Sequence, residues 1–190
     1  WTFDYGQQAA QMERRYAAAF AAARNVDWEP VPMPRLEEAA KLGASALVGG
    51  GDPMGLPDSG SDAEPGDAST AASVWVPARN LVMVSLAAAR AEAVGADAVV
   101  VGFNAEEAAT FPDNSTDFVT ACNEAMRLGC RRPVEVCAPT VGWDKSEIVA
   151  AAKRCGIRPR DLWSCYGPGP EPCGKCESCR RSRRAWGAHC

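Results

Sequence analysis

Apolar and polar positions near the start of the chain alternate between the two-residue period of a strand and the 3.6-residue period of a helix. Residues 1–5 (WTFDY) form a short apolar run that predicts a strand, and residues 26–33 predict a second strand whose prolines suit a sheet edge. Residues 35–48 predict a helix that ends at Gly49. Residues 8–24 are rich in helix formers and carry one apolar helical stripe made by Met12, Tyr16, Ala19, Phe20 and Ala23.

The same alternation continues further along the chain. The predicted elements are a helix over 81–94, a strand over 98–101, a helix over 116–128, a strand over 134–137 and a helix over 145–154. Asp113 and Ser115 can cap the second of these helices, and Asp144 with Glu147 forms a capping box for the third. The continuous apolar run AVVV is typical of a strand buried on both faces. Together these elements predict an α/β fold with a mostly parallel sheet, which binds ligands at the carboxyl ends of its strands.

A stretch rich in Gly, Pro, Asp and Ser interrupts this pattern. Residues 49–73 predict a long flexible loop, and its GGGDP is not a phosphate-binding P-loop because no Gly-Lys-Ser/Thr follows. A second Gly- and Pro-rich stretch, with closely spaced cysteines, lies near the carboxyl end. We therefore predict an α/β domain over residues 1–160 and a metal-binding segment over residues 161–190.

Charge and composition narrow the function classes. The 190-residue chain has a formal net charge of −4, whereas dedicated nucleic-acid binders have a basic surplus, so we expect no direct nucleic-acid binding. No run of about 18 apolar residues occurs, so we expect no membrane span. The chain starts at Trp1 without a basic-then-apolar leader, so we expect no signal peptide and a cytoplasmic protein.

The nine cysteines include a cluster with metal-ligand spacing. The odd count and the absence of a leader favour a reducing compartment over a disulfide framework. The segment CYGPGPEPCGKCESC spaces its cysteines C-x7-C-x2-C-x2-C, and the two-residue spacers give tight turns that aim sulfurs at one point. Four thiolates close the tetrahedral sphere of zinc and leave no position for water, so we predict a structural zinc ion. The predicted ligands are Cys165, Cys173, Cys176 and Cys179.

Alternative interpretations of this cluster are two disulfides or a redox-active C-x-x-C pair. His189, the only histidine, is an alternative metal ligand near the end of the chain. The remaining thiols need no function, because buried cysteines behave as small apolar residues.

Four segments then occur in order: TFDYGQ, VPARN, GFNAEEAATFPDNSTDF and WSCYGPGPEPCGKCESC. In this combination, over residues 2–187, the sequence resembles 7-cyano-7-deazaguanine synthases, the QueC family. The resemblance implies a Rossmann-like adenine nucleotide alpha hydrolase fold and a homodimer with one structural zinc per subunit. It also implies that ATP, with Mg²⁺, activates the carboxylate of 7-carboxy-7-deazaguanine. Ammonia then displaces AMP to give an amide, and a second activation dehydrates the amide to the nitrile used in queuosine or archaeosine formation.

The resemblance suggests roles for residues that face ATP. Developing phosphate charge needs cationic or N–H donors, and Arg79 and Lys145 are the candidate catalytic residues. Arg79 precedes a helix, where an anion also meets backbone N–H groups. The alternatives are a solvated charge for Arg79 and a helix-start residue for Lys145. The candidate nucleotide-binding residues are Tyr5, Gly6, Gln7, Arg79 and Asn80, the last of which could instead be a helix cap.

Candidate residues for the deazaguanine base follow the AVVV strand. Asn104 and Glu106 come directly after it, and Phe111 could stack on the base. Asp113 could accept hydrogen bonds from the amino and ring N–H donors of the base, or could be a helix N-cap. Glu147 is better explained as a capping-box residue than as a catalyst.

One departure from the family concerns its Ser-Gly-Gly-x-Asp-Ser loop, which cradles the pyrophosphate of ATP. This sequence has no such loop, and SGSD at 59–62 is a poor imitation, so we expect an N-terminally incomplete copy. Two alternatives stay open: a related ATP enzyme with another acceptor, or a zinc-bearing module that binds nucleotide or deazaguanine without turnover. The RRSRR run at 180–184 predicts a solvated helix face, with a nucleic-acid patch as the alternative.

Overall fold

The structure is a computed structural model that describes residues 1–53 and 72–187. Most of the predicted long loop lies outside the described residues. The chain divides into two compact units, the first made of Trp1–Pro77 with Val149–Cys190 and the second of Ala78–Ile148. The boundary that the sequence suggests between an α/β domain and a carboxyl-terminal segment stays a prediction.

A two-stranded parallel sheet opens the first unit. Strand β1 (Thr2–Asp4) pairs with β2 (Pro30–Pro32), with Phe3 opposite Val31. Prolines have no N–H to donate, so β2 suits the edge position that its sequence predicts. Both predicted strands are confirmed, although each is shorter than the apolar run that indicated it.

Helix α1 (Ala10–Ala22) follows β1. Its predicted apolar stripe is only partly buried, because Met12 is 5% exposed while Ala19 and Ala23 lie on the exposed side. Tyr16, also on the stripe, packs its ring against Trp163 at 5.3 Å between ring centroids. The stripe therefore serves partly as a contact surface for the carboxyl-terminal segment.

Helix α2 (Pro34–Leu42) begins with proline in its first turn, where a missing N–H costs nothing. It ends at Gly43, six residues before the predicted end at Gly49. The next residue, Ala44, has φ of 53°, which is incompatible with a continuing right-handed helix.

The second unit begins with helix α3 (Arg79–Val94), which starts after Ala78 with φ of 53° and ends at the predicted cap Gly95 with φ of 76°. Its other helices are α4 (Ala105–Ala108), a 3₁₀ turn (Pro112–Asn114) and α5 (Thr116–Gly129). Ser115 caps α5 as predicted, because its hydroxyl accepts the N–H of Phe118 at 3.1 Å.

Strands β3 (Ala98–Val100) and β4 (Glu135–Cys137) form a second parallel pair. The prediction that the AVVV run is buried on both faces is wrong for the described residues, because Val100 is 71% exposed. The other face of the sheet covers an apolar core formed by Val84, Ala88, Ala91, Phe103, Cys122, Met126, Val134 and Val136.

Asn123 on α5 fixes this helix to β4. Its side-chain amide donates to the carbonyl of Val136 at 3.1 Å, and its carbonyl accepts the N–H of Val136 at 2.8 Å. The Asn123 side chain thus makes the two hydrogen bonds that a neighbouring strand would otherwise make, and it satisfies both the N–H and the carbonyl of buried Val136.

Helix α6 (Lys145–Arg154) has the predicted boundaries. Its capping box is also confirmed, since Glu147 accepts the N–H of Asp144 at 3.0 Å and Asp144 accepts the N–H of Glu147 at 2.8 Å. A 3₁₀ turn (Pro159–Asp161) and helix α7 (Glu177–Trp186) complete the described elements.

One described segment, Ala72–Val94, is long and apolar enough to pass a length and composition test for a membrane span. Its continuous helix is α3, whose 16 residues fall short of the roughly 20 that cross a bilayer. One side of α3 also lies in the core through Val84, Ala88 and Ala91. Its other side carries exposed apolar residues, among them Leu81, Leu86 and Val94.

Candidate metal centre and substrate site

The four clustered cysteines form a compact sulfur site in the first unit. The sulfurs of Cys165, Cys173, Cys176 and Cys179 all lie within 4.8 Å of one another. Cys173 Sγ and Cys179 Sγ are 3.9 Å apart, whereas a disulfide requires about 2.05 Å. Tetrahedral zinc with Zn–S bonds of about 2.3 Å separates its sulfurs by about 3.8 Å. The four residues could therefore hold a metal ion, and all eight cysteines in the described part of the chain are free thiols.

Backbone N–H groups point at these sulfurs. The Cys165 sulfur accepts the N–H groups of Gly167 at 3.3 Å and Cys173 at 3.4 Å. The Cys173 sulfur accepts those of Lys175 at 3.4 Å and Cys176 at 3.3 Å. The Cys176 sulfur accepts the N–H of Cys179 at 3.4 Å. The last of these makes Cys176 the N-cap of α7. Donors aimed at sulfur favour the thiolate form, which is the form that binds metal.

The thiols of this cluster do not ionise equally. Burial opposes ionisation of Cys173, but N–H donors from Cys176 and Lys175 outweigh it and lower its pKa to about 7. Burial raises the pKa of Cys176, and burial with the adjoining Cys176 thiol raises the pKa of Cys179. A divalent cation would supply the charge that lets all four sulfurs ionise together.

Aromatic residues enclose the sulfur site. Trp163 donates its indole N–H to the carbonyl of Cys165 at 2.9 Å, and the Tyr166 hydroxyl lies 3.3 Å from a carboxylate oxygen of Glu177. Both aromatic residues pack against the buried cysteines. The alternative ligand His189 lies outside the described residues.

The residues predicted to bind nucleotide after β1 form a tight turn. Gly6 has φ of +80°, a conformation that strains any other residue, and a Cβ added there would lie 2.7 Å from the Glu37 side chain, which would have to move. Gln7 is 7% exposed, and its amide accepts the N–H of Tyr5 at 2.9 Å and donates to Glu13 at 2.7 Å. The Gln7 side chain thus holds the turn in shape through the Tyr5 backbone N–H, and the Gly6 N–H donates to the Asp4 carboxylate at 3.1 Å.

A second polar cluster lies at the N-terminus of α3. Asn80 donates its side-chain amide to the carbonyl of Asp113 at 3.2 Å. Burial raises the pKa of the Asp113 carboxyl, while the Arg79 guanidinium, the Asn114 amide and the backbone N–H of Asn80 oppose the rise. The structure therefore brings Arg79, Asn80 and Asp113 together, with the carboxylate at the N-terminus of α3.

Asn104 and Phe111 lie at the two ends of the segment that follows β3. Asn104 is 2% exposed and accepts the N–H of Glu107 at 3.1 Å, which makes it the N-cap of α4. Phe111 is half-buried just before the 3₁₀ turn, and its N–H donates to the carbonyl of Glu107 at 2.7 Å. Asn104 thus fixes the start of the segment that carries Phe111.

Lys145 meets two acidic residues from α4. Its backbone N–H donates to the Glu106 carboxylate at 2.8 Å, so Glu106 joins the start of α6 to α4. The Lys145 ammonium pairs with Glu107 at 2.8 Å. Sequence reasoning missed Glu107, although a second carboxylate in the first turn of a helix capped by Asn104 was a usable signal.

Comparison with known proteins gives the family. The family model described as "Queuosine biosynthesis protein QueC" matches residues 1–189. The chain belongs to the QueC family. It is 42% identical to a 7-cyano-7-deazaguanine synthase of Methanothermobacter thermautotrophicus over 97% of this chain and 81% of that protein. It is 44% identical to one from Pelotomaculum thermopropionicum over 97% and 82% of the two chains.

A more distant QueC-family relative extends the comparison. The 7-cyano-7-deazaguanine synthase of Pyrococcus furiosus is 39% identical over 96% of this chain and 79% of that protein. The chain therefore spans about four fifths of the length of these relatives. The matched residues 1–189 include all four clustered cysteines and both polar clusters.

Proposed function

We propose that this QueC-family chain acts as a 7-cyano-7-deazaguanine synthase, a ligase that forms carbon–nitrogen bonds. The observation that carries the proposal is the match to the QueC family over residues 1–189, together with relatives named 7-cyano-7-deazaguanine synthase. The substrates are 7-carboxy-7-deazaguanine, ATP with Mg²⁺, and ammonia. A Rossmann-like adenine nucleotide alpha hydrolase fold is the proposed setting, supported by two parallel strand pairs flanked by helices.

The reaction consists of two activations. A carboxylate oxygen attacks the α-phosphate of ATP and releases pyrophosphate, which makes AMP the leaving group. Ammonia attacks the acyl carbon and expels AMP, giving the amide. The amide oxygen is then adenylated by a second ATP and leaves with AMP, so that loss of two protons from nitrogen forms the nitrile.

Arg79 and Lys145 are the proposed catalytic residues. Arg79 is the first residue of α3, where its guanidinium and the N–H groups of the first turn can stabilise developing phosphate charge. Lys145 is the first residue of α6, and its ammonium can exchange the Glu107 carboxylate for a phosphate oxygen. Tyr5, Gly6, Gln7 and Asn80 are proposed to bind nucleotide through backbone and amide groups.

Asp113 is the proposed acceptor for the amino and ring N–H donors of the base, with Phe111 stacking beside it. Burial of the Asp113 carboxyl, which raises its pKa, supports this role. A carboxyl group with a shifted pKa is typical of a site where a ligand supplies hydrogen-bond donors. Asn104 and Glu106 are proposed to support the base through the α4 segment that they hold.

The sulfur cluster is proposed to hold one structural zinc ion per chain. Four thiolates close the coordination sphere, so the ion would stabilise the carboxyl-terminal segment and take no part in the chemistry. We further propose a cytoplasmic homodimer that binds neither membranes nor nucleic acid directly.

The test is turnover by the full-length protein. Incubation with 7-carboxy-7-deazaguanine, ATP, Mg²⁺ and ammonium should yield AMP and the nitrile, measured by chromatography and mass spectrometry. Arg79→Ala should lose most of this activity, and Arg35→Ala should keep it, because Arg35 lies on the surface and pairs only with neighbouring Glu38 in the described contacts. AMP release only with another acceptor, or nucleotide binding without turnover, would contradict the proposal.

A further inference from the structure

We propose that Arg180 and Arg183 of α7 neutralise the thiolate–zinc centre and hold its C-x-x-C turn, and thereby slow the loss of the metal. The inference rests on the proposed zinc site. It assigns a role to the RRSRR run, which sequence analysis interprets as a solvated helix face.

Both arginines reach back to the turn between Cys173 and Cys176. Arg183 Nη2 donates to the carbonyl of Gly174 at 3.1 Å, and Arg180 Nη1 donates to the carbonyl of Lys175. These two carbonyls belong to the two spacer residues of the C-x-x-C turn. The guanidinium groups thus fix the backbone whose N–H groups point at the sulfurs.

The turn has a backbone shape that allows this approach. Gly174 has φ of +68°, and a Cβ added there would lie 3.1 Å from Arg183 Nη2. A side chain at this position would be strained by its backbone conformation and would press on the guanidinium. Glycine therefore lets a cation lie directly over the turn.

Charge gives the arginines a second effect. Four thiolates around one divalent cation leave a net negative charge, and Cys165, Cys176 and Cys179 are buried at 2%, 0% and 7% exposure. Buried charge is costly unless it is compensated. The N-terminus of α7, at Cys176, supplies part of the compensation.

Glu177 adds a further buried carboxylate at 4% exposure. Arg181 pairs with it one helical turn away, with the two side chains 20% and 6% exposed. Since Arg181 pairs with Glu177, the charge that we assign to the sulfur site is that of Arg180 and Arg183, which contact the carbonyls of its turn. The basic run is thereby directed partly into the protein.

Metal release measures this role independently of catalysis. Zinc-loaded full-length protein is mixed with an excess of a chromophoric chelator, and the release rate is followed by absorbance. Arg183→Gln and Arg180→Gln should each release zinc several-fold faster, and the double variant should release it roughly 10-fold faster or more. Arg183→Lys should fall between wild type and Arg183→Gln, because lysine keeps the charge and loses the planar fork.

Arg154→Gln is the matched control, since it removes an exposed arginine from the last turn of α6. Release rates equal to those of this control, from variants that hold wild-type amounts of zinc, would overturn the inference and leave the zinc site standing. Wild-type protein without zinc would instead overturn the zinc proposal and the inference with it. Turnover is a separate readout, so neither result depends on the proposed enzyme activity.

Discussion

Glu107 Oε1 lies 2.8 Å from Lys145 Nζ, and the two side chains are 31% and 29% exposed. A lysine in this setting is held in place by its carboxylate partner and remains accessible to a ligand. The pair joins α4 to the start of α6 and lies beside the backbone contact between Glu106 and Lys145. The stabilisation from such a partly exposed pair is small, so breaking it should change the free energy of unfolding little.

Lys145→Met should separate these two effects. We expect kcat/KM for ATP-dependent turnover to fall roughly 100-fold, the usual effect of removing one group that stabilises transition-state charge. The free energy of unfolding should change by less than about 1 kcal/mol. Lys41→Met, which breaks a comparable pair with Glu37 on α2, is the control and should leave turnover unchanged. Wild-type turnover in Lys145→Met would remove this residue from the mechanism.

Asp113→Asn should stabilise the protein in a pH-dependent way. Burial raises the pKa of Asp113 above its ordinary value of 3.8, in spite of Arg79, so the folded state binds this proton more tightly than the unfolded chain does. The folded state thus loses stability as pH rises from the ordinary pKa through the raised one. The variant should have a higher Tm than wild type at pH 7 and an equal Tm below the ordinary pKa. A Tm gain that grows at low pH would contradict this assignment.

The same variant tests the proposed base contact. An asparagine amide presents one acceptor where the carboxylate presents two, so binding of 7-carboxy-7-deazaguanine should weaken roughly 10-fold or more. Calorimetry on the full-length protein measures this loss. Undiminished affinity would show that Asp113 makes no contact with the base and acts only at the N-terminus of α3.

Cys176→Ser should weaken metal binding. Cys176 is fully buried at 0% exposure, and its sulfur both belongs to the four-cysteine site and caps α7. We expect metal analysis to find less than one zinc per chain and the Tm to fall. Cys155→Ser, at an exposed free thiol, should keep full zinc content. Equal zinc in both variants would argue against the site.

Asn123→Ala should destabilise the second unit. Its amide makes both hydrogen bonds to Val136 on β4, and loss of a buried partner costs about 1–3 kcal/mol. Chemical denaturation measures the change. Thr120→Ala on the same helix removes only an exposed hydroxyl contact and should change the free energy of unfolding by less than about 0.5 kcal/mol. Similar losses in the two variants would refute the role given to Asn123.

Features set by neighbouring residues could be predicted from the sequence. The boundaries of α6 follow from Asp144 and Glu147, which cap it within three positions. The sulfur site follows from cysteines spaced over fifteen residues, because two-residue spacers leave few ways to place the thiols. Local chemistry decides both outcomes, so no knowledge of the tertiary fold was needed.

Features set by distant residues could not be predicted in this way. Glu107 and Lys145 are 38 positions apart, and nothing in the local pattern pairs them. The Asn123 contact with Val136 likewise depends on how α5 packs on β4. Val100 is predicted to be buried and is 71% exposed. An apolar run indicates a strand, but it does not show whether other elements cover both faces of that strand.

The most direct test of the proposed chemistry is the fate of the carboxylate oxygens. Full-length protein is given 7-carboxy-7-deazaguanine labelled with ¹⁸O in both carboxylate oxygens, and the AMP is examined by mass spectrometry. Adenylation predicts that both labelled oxygens leave the substrate in AMP, one at each activation, as the nitrile forms. Nitrile formation with unlabelled AMP, or labelled pyrophosphate or phosphate in its place, would contradict the account.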